Sequence, residues 1–144
     1  MTLRKYQTKR KFSKTPEPEG KLKKTVLSRF VVQRHQASHL HYDFRLEMGG
    51  VLRSWAVPKG VPEKKGIKHL AVKVEDHPVD YINFQGTIPE GNYGAGTVEI
   101  WDKGRYQLIE ETPMAMKFIL FGKIFKGLYV LVNFKDKNWL LFKN

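Results

Sequence analysis

One short segment carries the side chains best suited to chemistry in this chain. Between residues 39 and 47, apolar residues at even positions alternate with polar residues at odd positions, which is the period of a half-buried β-strand. On such a strand His41, Asp43 and Arg45 project from one face, with the Cα atoms of successive members roughly 6–7 Å apart. His35 lies shortly upstream and supplies a candidate third ligand. The spacing therefore predicts a His-His-Asp group with an arginine beside it.

These residue types suit a divalent metal ion and a phosphate group. Imidazole nitrogens combined with a carboxylate favour Mn²⁺, Fe²⁺, Zn²⁺ or Co²⁺, and three protein ligands leave positions open for water or substrate. The planar guanidinium of Arg45 matches the oxygens of a phosphate. The sequence therefore favours metal-assisted chemistry on a phosphate ester. The alternative interpretation is a solvated strand face that happens to be polar.

A second pair of candidates lies further along the chain. His77 follows a predicted strand at residues 70–75, and Tyr81 comes four residues later. A histidine and a tyrosine hydroxyl can both donate to phosphate oxygens, and a histidine can also act as a general acid. From spacing alone, a histidine that only caps the turn is the favoured interpretation of His77.

Composition narrows the classes of function. The chain has 144 residues, with 26 Lys or Arg against 14 Asp or Glu, and therefore a net charge of +12. This excess predicts a polyanionic partner such as a nucleic acid. The absence of cysteine excludes a disulfide scaffold, a thiolate zinc site, an iron–sulfur cluster and a cysteine nucleophile. No segment has the composition of a secretory signal or a membrane span, so a cytoplasmic protein with no membrane partner is expected.

Short strands separated by turns predict the architecture. Strand patterns recur from residue 26 onward and continue to the C-terminus, where three of them occupy residues 116–121, 128–134 and 139–142. The fold class predicted is mainly β, a small closed β-barrel of about eight strands. Short flanking helices are predicted at residues 61–68 and 110–117, and a monomer is expected.

Three further expectations concern particular segments. Residues 1–24 are basic and contain few large apolar side chains, so they are predicted as an N-terminal arm outside a barrel domain at residues 25–144. The alternative interpretation of this segment is a disordered solubilising tail. Residues 102–105 are predicted as a hairpin turn. The three tryptophans fall in strand patterns and are predicted as core residues rather than base-stacking platforms: Trp55, Trp101 and Trp139.

Five segments are long enough to compare with known families. They are VQRHQASHLHYDFRLE (32–47), SWAVPKG (54–60), VEDHP (74–78), IPEGNYGAGTV (88–98) and WLLFK (139–143). Together they closely resemble, in the same order, the motifs of the 3′-phosphoesterase domain of bacterial DNA ligase D. The resemblance covers almost the whole chain, and without polymerase or ligase modules it implies a stand-alone member of that family.

This resemblance implies an enzyme that heals the 3′ ends of a nucleic-acid primer strand. Such an enzyme depends on Mn²⁺, and the ligand types also suit Co²⁺ or Zn²⁺. It removes a terminal ribonucleoside and then hydrolyses the remaining 3′-phosphate to a 3′-OH for repair or non-homologous end joining. A repair polymerase and a DNA ligase are the implied functional partners. The competing interpretation is a β-barrel that binds nucleic acid without catalysis.

Matching the motifs position by position implies a role for each site residue. The implied metal ligands are His35, His41 and Asp43. The residues implied to bind the phosphate and act in catalysis are Arg45, His77 and Tyr81, with His77 as the candidate proton donor. Lys59 lies in the matching Val-Pro-Lys-Gly motif and is implied to support the phosphate or the backbone.

The N-terminal arm adds two further residues to the implied substrate site. The segment RKFSKTPEP (10–18) resembles the family pattern Arg-Asp-Phe-x-x-Thr-x-Glu-Pro. Arg10 and Glu17 match that pattern, which in the family supports removal of the terminal ribonucleoside. Lys11 stands where the family has Asp, and this charge reversal bears on ribonucleoside removal more than on phosphate hydrolysis. His69 stands where relatives often carry an arginine.

Overall fold

The computed structural model describes residues 27–92 and 95–144, so the predicted arm at residues 1–24 lies outside the described range. Nine β-strands and one 3₁₀ helix make up the secondary structure of the described residues. The strands are β1 Ser28–Gln36, β2 Leu40–Met48, β3 Val51–Val57, β4 Lys68–Pro78, β5 Gly86–Ile88, β6 Gly96–Thr112, β7 Ala115–Phe121, β8 Lys126–Lys135 and β9 Asn138–Lys143. The 3₁₀ helix, Val79–Asn83, lies between β4 and β5.

Eight of the strands form the closed antiparallel barrel that the sequence predicts. Neighbouring strands follow the order β1-β2-β3-β4-β9-β8-β7-β6, and β6 pairs with β1 to close the barrel. The short β5 lies outside the barrel and pairs with the first residues of β6. Because β1 and β6 pair with each other, neither strand presents unpaired backbone N–H and C=O groups to solvent along the paired residues.

Alternating side chains divide each strand between the barrel interior and its outer face. On β2 the even-numbered Phe44 and Leu46 are fully buried in the main apolar core, so the odd-numbered residues of β2 face outward. Trp55 and Trp139 also lie in this core, as predicted. Trp101 does not: it is 41% exposed. The sequence pattern missed this because a β-bulge in β6 changes the alternation at that point.

A second, smaller apolar cluster lies on the outer face and holds the 3₁₀ helix against the barrel. It contains Val31 of β1, Leu52 of β3 and Ile82 of the helix, with Tyr81 and Ile100 packed against it. The helix therefore covers part of the outer face of β1 and its neighbours. Polar residues on that outer face are screened from solvent without being in the barrel core.

The two predicted flanking helices are not helical in the structure. Residues 61–67 form turns and irregular backbone, with Pro62 and the positive φ of Gly66 (86°) both unfavourable to a helix. Residues 110–117 contain the end of β6 and the start of β7, which are paired through Glu110 and Lys117. Within the described ranges, no helix is both long enough and apolar enough to cross a membrane.

The hairpin turn predicted at residues 102–105 is also wrong, because β6 runs through it without interruption. Gly104 is a strand glycine: a Cβ there would lie 2.3 Å from the carbonyl oxygen of Phe121 on β7. Asp102 is 5% exposed, and its carboxylate accepts hydrogen bonds from the backbone N–H groups of residues 123, 124 and 125 at 3.0, 3.1 and 2.9 Å. Asp102 thus fixes the loop between β7 and β8.

Replacing Asp102 with Ala is expected to lower the free energy of unfolding by about 2–4 kcal/mol, because the buried N–H of Phe125 and two partly buried N–H groups lose their acceptor. Urea denaturation measures the change. The matched control is Glu63→Ala, which removes an exposed carboxylate and is expected to change stability by less than about 0.5 kcal/mol. Equal stability of Asp102→Ala and the wild type would contradict this role.

Candidate metal and phosphate site

The pairing of β1 with β2 assembles the predicted ligand group on the outer face. His35 is directly opposite His41 in the antiparallel register, and Gln33 is opposite Asp43. The two imidazole rings have centroids 4.7 Å apart. The carboxylate of Asp43 lies between them, with Oδ2 3.6 Å from Nδ1 of His35 and Oδ1 3.4 Å from Nε2 of His41.

One ligand atom from each of these three residues lies within 4.8 Å of the other two. His35 and Asp43 are buried at 8% and 7% exposure, whereas His41 is half-buried and borders solvent. Two imidazole nitrogens and a carboxylate oxygen converging at an accessible rim fit a divalent transition metal with open coordination positions. The predicted metal ligands are therefore brought together by the fold.

The charges in this group favour an ionised Asp43. Burial by itself raises the pKa of that carboxyl, but the hydrogen bond with His41 and the positive charge of Arg45 outweigh it and bring the pKa below its ordinary value. The same hydrogen bond raises the pKa of His41. The centre thus holds a negative carboxylate ready to bind a cation.

Arg45 is the most deeply enclosed charge in this region, at 3% exposure. Its Nε donates to Oε1 of Gln33 at 2.6 Å, and Nη1 donates to Oγ of Ser54 at 2.8 Å. Its Nη2 lies 3.4 Å from Oδ2 of Asp43. These contacts hold the guanidinium in one orientation beside the ligand group, although burial lowers its pKa.

His77 and Tyr81 complete the site from outside the β1–β2 ladder. His77 is near the end of β4, Tyr81 is in the 3₁₀ helix, and their ring centroids are 4.8 Å apart. The guanidinium carbon of Arg45 lies 4.9 Å from the centroid of the Tyr81 ring. The sequence alone favoured a turn-capping histidine, but the fold places His77 against the arginine.

Two groups compete for Nδ1 of His77. Nη1 of Arg45 lies 3.2 Å away and can only donate, so it bonds the neutral tautomer that has its proton on Nε2. The carbonyl of Glu75 lies 3.1 Å away and can only accept, so it bonds a ring that has a proton on Nδ1. Burial and then the charge of Arg45 lower the pKa of His77, so the neutral form is favoured. Burial raises the pKa of Tyr81, which keeps its hydroxyl protonated.

Sequence reasoning missed Gln33, the residue that joins these parts. Gln33 is fully buried, and its Nε2 donates to the carbonyl oxygens of Tyr81 and Phe84 at 3.0 and 3.1 Å while its Oε1 accepts from Arg45. One amide therefore ties the 3₁₀ helix to the arginine. The sequence offered one indication of this role. Gln33 lies two residues before His35, so the two side chains point to the same face of the strand that contains them.

Other predicted residues lie elsewhere. Lys59 is exposed in the turn after β3, beside Gly60. A Cβ at Gly60 would contact the ring of Tyr42, and Tyr42 points to the face of β2 opposite to His41 and Asp43. His69 donates from Nδ1 to the carbonyl oxygen of Gly60 at 2.6 Å and so ties that turn to β4. The arm residues implied in the substrate site lie outside the described residues: Arg10 and Glu17.

Comparison with known proteins identifies close relatives. The family model described as the DNA ligase D 3′-phosphoesterase domain matches residues 33–133. A multifunctional non-homologous end joining protein LigD from Pseudomonas aeruginosa is 44% identical over 98% of this chain and 18% of its own length. LigD proteins from Mycobacterium tuberculosis and Mycolicibacterium smegmatis are also 44% identical, over 96% and 94% of this chain. The chain spans about a fifth of the length of these relatives, 18% or 19% in each case.

The ligand group is expected to bind one Mn²⁺ ion per chain, as measured by calorimetric titration. His41→Ala removes one of three ligands and is expected to weaken binding by more than about tenfold, since even the loss of an outer-sphere partner costs that much. The matched control is His69→Ala, which removes an imidazole bonded to Gly60 and is expected to bind like the wild type. Equal affinity in wild type and His41→Ala would contradict the site.

Gln33→Leu keeps the side-chain volume similar but leaves Nε of Arg45 and two carbonyls without their partner. We expect the free energy of unfolding to fall by about 1–3 kcal/mol in urea denaturation. The matched control, Gln107→Leu on the half-exposed part of β6, is expected to change stability by less than about 0.5 kcal/mol. Equal losses of stability in the two variants would contradict a stabilising role for the hydrogen bonds of Gln33.

Proposed function

The chain belongs to the DNA ligase D 3′-phosphoesterase domain family, and on that basis we propose that it is a metal-dependent phosphoesterase that heals 3′ ends of DNA or RNA. It removes a 3′-terminal ribonucleoside in a phosphodiesterase step and then the 3′-phosphate in a phosphomonoesterase step, leaving a 3′-OH. The observation that supports this most directly is the three-ligand group lying directly beside a buried arginine. The alternative, a nucleic-acid-binding barrel without catalysis, has no need of that combination.

His35, His41 and Asp43 are the residues that would hold the metal, for which we propose Mn²⁺, with Co²⁺ or Zn²⁺ suiting the same donors. A divalent ion bound there supplies Lewis-acid polarisation of a phosphate oxygen and acidifies a bound water. The second role of Asp43 is electrostatic, because its carboxylate also faces Nη2 of Arg45 and helps to keep that charge in place.

Arg45 would bind the phosphate through its fixed positive charge. Gln33 and Ser54 hold its guanidinium from behind, so no side-chain reorganisation is needed when charge develops on the phosphate oxygens. The low exposure of the group strengthens its interaction with an anion, because few water molecules compete. Arg45 is therefore the main source of transition-state stabilisation among the protein side chains.

His77 and Tyr81 would donate hydrogen bonds to the phosphate. In the neutral tautomer whose Nδ1 accepts from Arg45, Nε2 of His77 carries a proton that is available to a ligand. A bound phosphate brings negative charge that favours the protonated ring, so His77 can then transfer a proton to the leaving oxygen. The hydroxyl of Tyr81, kept protonated by burial that raises its pKa, is the second donor.

The remaining parts of the proposal concern the setting of the reaction. The net charge of +12 supports binding along a nucleic-acid backbone at primer–template 3′ ends. The names of the relatives associate them with end joining, and a repair polymerase and a DNA ligase are the functional partners that we propose. We propose a cytoplasmic monomer, in which Arg10, Glu17 and Lys59 contact the substrate strand.

The proposed activity is tested with a 5′-labelled primer–template that ends in a 3′-phosphate. We expect Mn²⁺ to give a 3′-OH product and chelator to abolish it. Arg45→Lys is expected to lower kcat/KM by at least about 100-fold, because an ammonium cannot reproduce the fixed fork of donors. The matched control is Arg105→Lys, an exposed position on β6, with kcat/KM expected within about twofold of the wild type.

Binding to the same duplex separates the two interpretations. For Arg45→Lys we expect duplex affinity within about threefold of the wild type, because many basic surface residues contribute to binding the phosphate backbone of the nucleic acid. Duplex binding with no 3′-OH product under any divalent metal would favour the non-catalytic barrel instead.

A further inference from the structure

Trp101 is the one tryptophan of the chain with a solvent-accessible ring. Trp55 and Trp139 are 0% and 5% exposed, whereas Trp101 is 41% exposed on β6. Val32 of β1 pairs with Asp102 and Gln33 pairs with Ile100, so Trp101 is the extra residue of a β-bulge. Bulges change the direction of a side chain and are frequent beside active sites. The side chain of Gln33, opposite the same bulge, holds Arg45.

The neighbours of Trp101 form a small aromatic and cationic surface. The ring of Tyr42 on β2 meets it edge to face, with centroids 5.8 Å apart. The guanidinium carbon of Arg34 on β1 lies 5.9 Å from the Trp101 centroid, within the range of a cation–π contact. Glu99 on β6 accepts from Arg34 at 2.9 Å and holds it in place. We call Trp101, Tyr42 and Arg34 the mouth surface.

The mouth surface lies next to the ligand group along the chain but on the opposite face of the sheet. Arg34 precedes His35 on β1, and Tyr42 follows His41 on β2, so two of the three residues of the surface are one residue from a metal ligand. Successive residues of a strand point to opposite faces. The Arg34–Tyr42 pair and the His35–His41 pair both lie close to the rim, the exposed turn around residues 38 and 39 that joins β1 to β2.

We propose that the mouth surface is a stacking site for a base of the nucleic-acid strand whose 3′ end occupies the His-Asp centre, an inference that rests on the proposed function. A strand that crosses the rim from that centre brings a nearby nucleotide to Trp101. An aromatic ring binds any base through its π-face, which suits an enzyme acting on ends of any sequence. Arg34 adds positive charge at the same point without reading the base.

Exposure of an aromatic ring does not by itself make such a site, and a second exposed ring provides the contrast. Phe121 on β7 is 49% exposed, but it pairs with Arg105, which in turn pairs with Arg29 near the start of β1. That position is at the opposite end of β1 from Arg34 and His35. Phe121 is therefore a matched control for exposed aromatic area far from the ligand group.

Binding of oligonucleotides that carry or lack bases near the 3′ end tests the proposal. The full chain is titrated, with chelator present to prevent hydrolysis, with a primer–template ending in a 3′-phosphate and with the same duplex bearing abasic nucleotides at the last four primer positions. Both ligands have the same phosphate charge. We expect wild type to bind the base-bearing end about tenfold more tightly, the size of one stacking contact. Tryptophan emission should be quenched only by the base-bearing end.

In Trp101→Ala the two ends are expected to bind within about twofold of each other, whereas Trp101→Phe keeps part of the difference and Phe121→Ala keeps all of it. Raising the salt concentration should weaken both ends together and leave their ratio unchanged, because stacking does not release counterions. Trp101→Ala that still prefers the base-bearing end tenfold would overturn the stacking site.

The outcomes for the two proposals are separable. Base-dependent binding through Trp101, together with no hydrolysis under any divalent metal, would reject the phosphoesterase and leave the stacking site standing. Hydrolysis with no effect of Trp101→Ala on the preference for bases would reject the stacking site alone.

Discussion

The buried charge of Arg45 is the interaction on which the site depends. A guanidinium with 3% exposure has lost most of its hydration, and a buried charge without partners would be strongly destabilising. Its partners come from four separate strands: Gln33 on β1, Asp43 on β2, Ser54 on β3 and His77 on β4. The four adjacent strands β1 to β4 must pair in the correct registers before all four partners can meet the guanidinium. The position of the guanidinium is therefore fixed by the backbone pairing of β1, β2, β3 and β4.

The position of this network outside the barrel core explains how an apolar fold accommodates a polar site. The even-numbered face of β2 fills the interior, so the odd-numbered face can hold charge without disturbing core packing. The 3₁₀ helix, fixed by Ile82 in the outer cluster and by Gln33, shields the arginine from solvent. Burial in this region also lowers the pKa of His77 and raises the pKa of Tyr81, which favours a neutral imidazole and a protonated hydroxyl.

Particular residues show where prediction from sequence succeeds and fails. The period-two pattern located β2 and its polar face, because side-chain direction on a strand is a local property. The same rule failed at Trp101, where a bulge inserts one residue into β6. Gly104 and its neighbours resembled a turn, but the glycine is needed for close approach of β7. Local composition does not distinguish these two uses of glycine.

The sequence by itself determined which residues can bind a metal, because His41, Asp43 and Arg45 share a face of one strand and His35 is only six residues from His41. It also determined, through the order of its motifs, the family to which the chain belongs. Only the tertiary structure decided which side chains surround Arg45. His77 is 32 residues away from it, and Gln33 reaches carbonyls 48 and 51 residues away. Such contacts depend on the strand registers from β1 to β4 and on the position of the 3₁₀ helix, which no short stretch of sequence specifies.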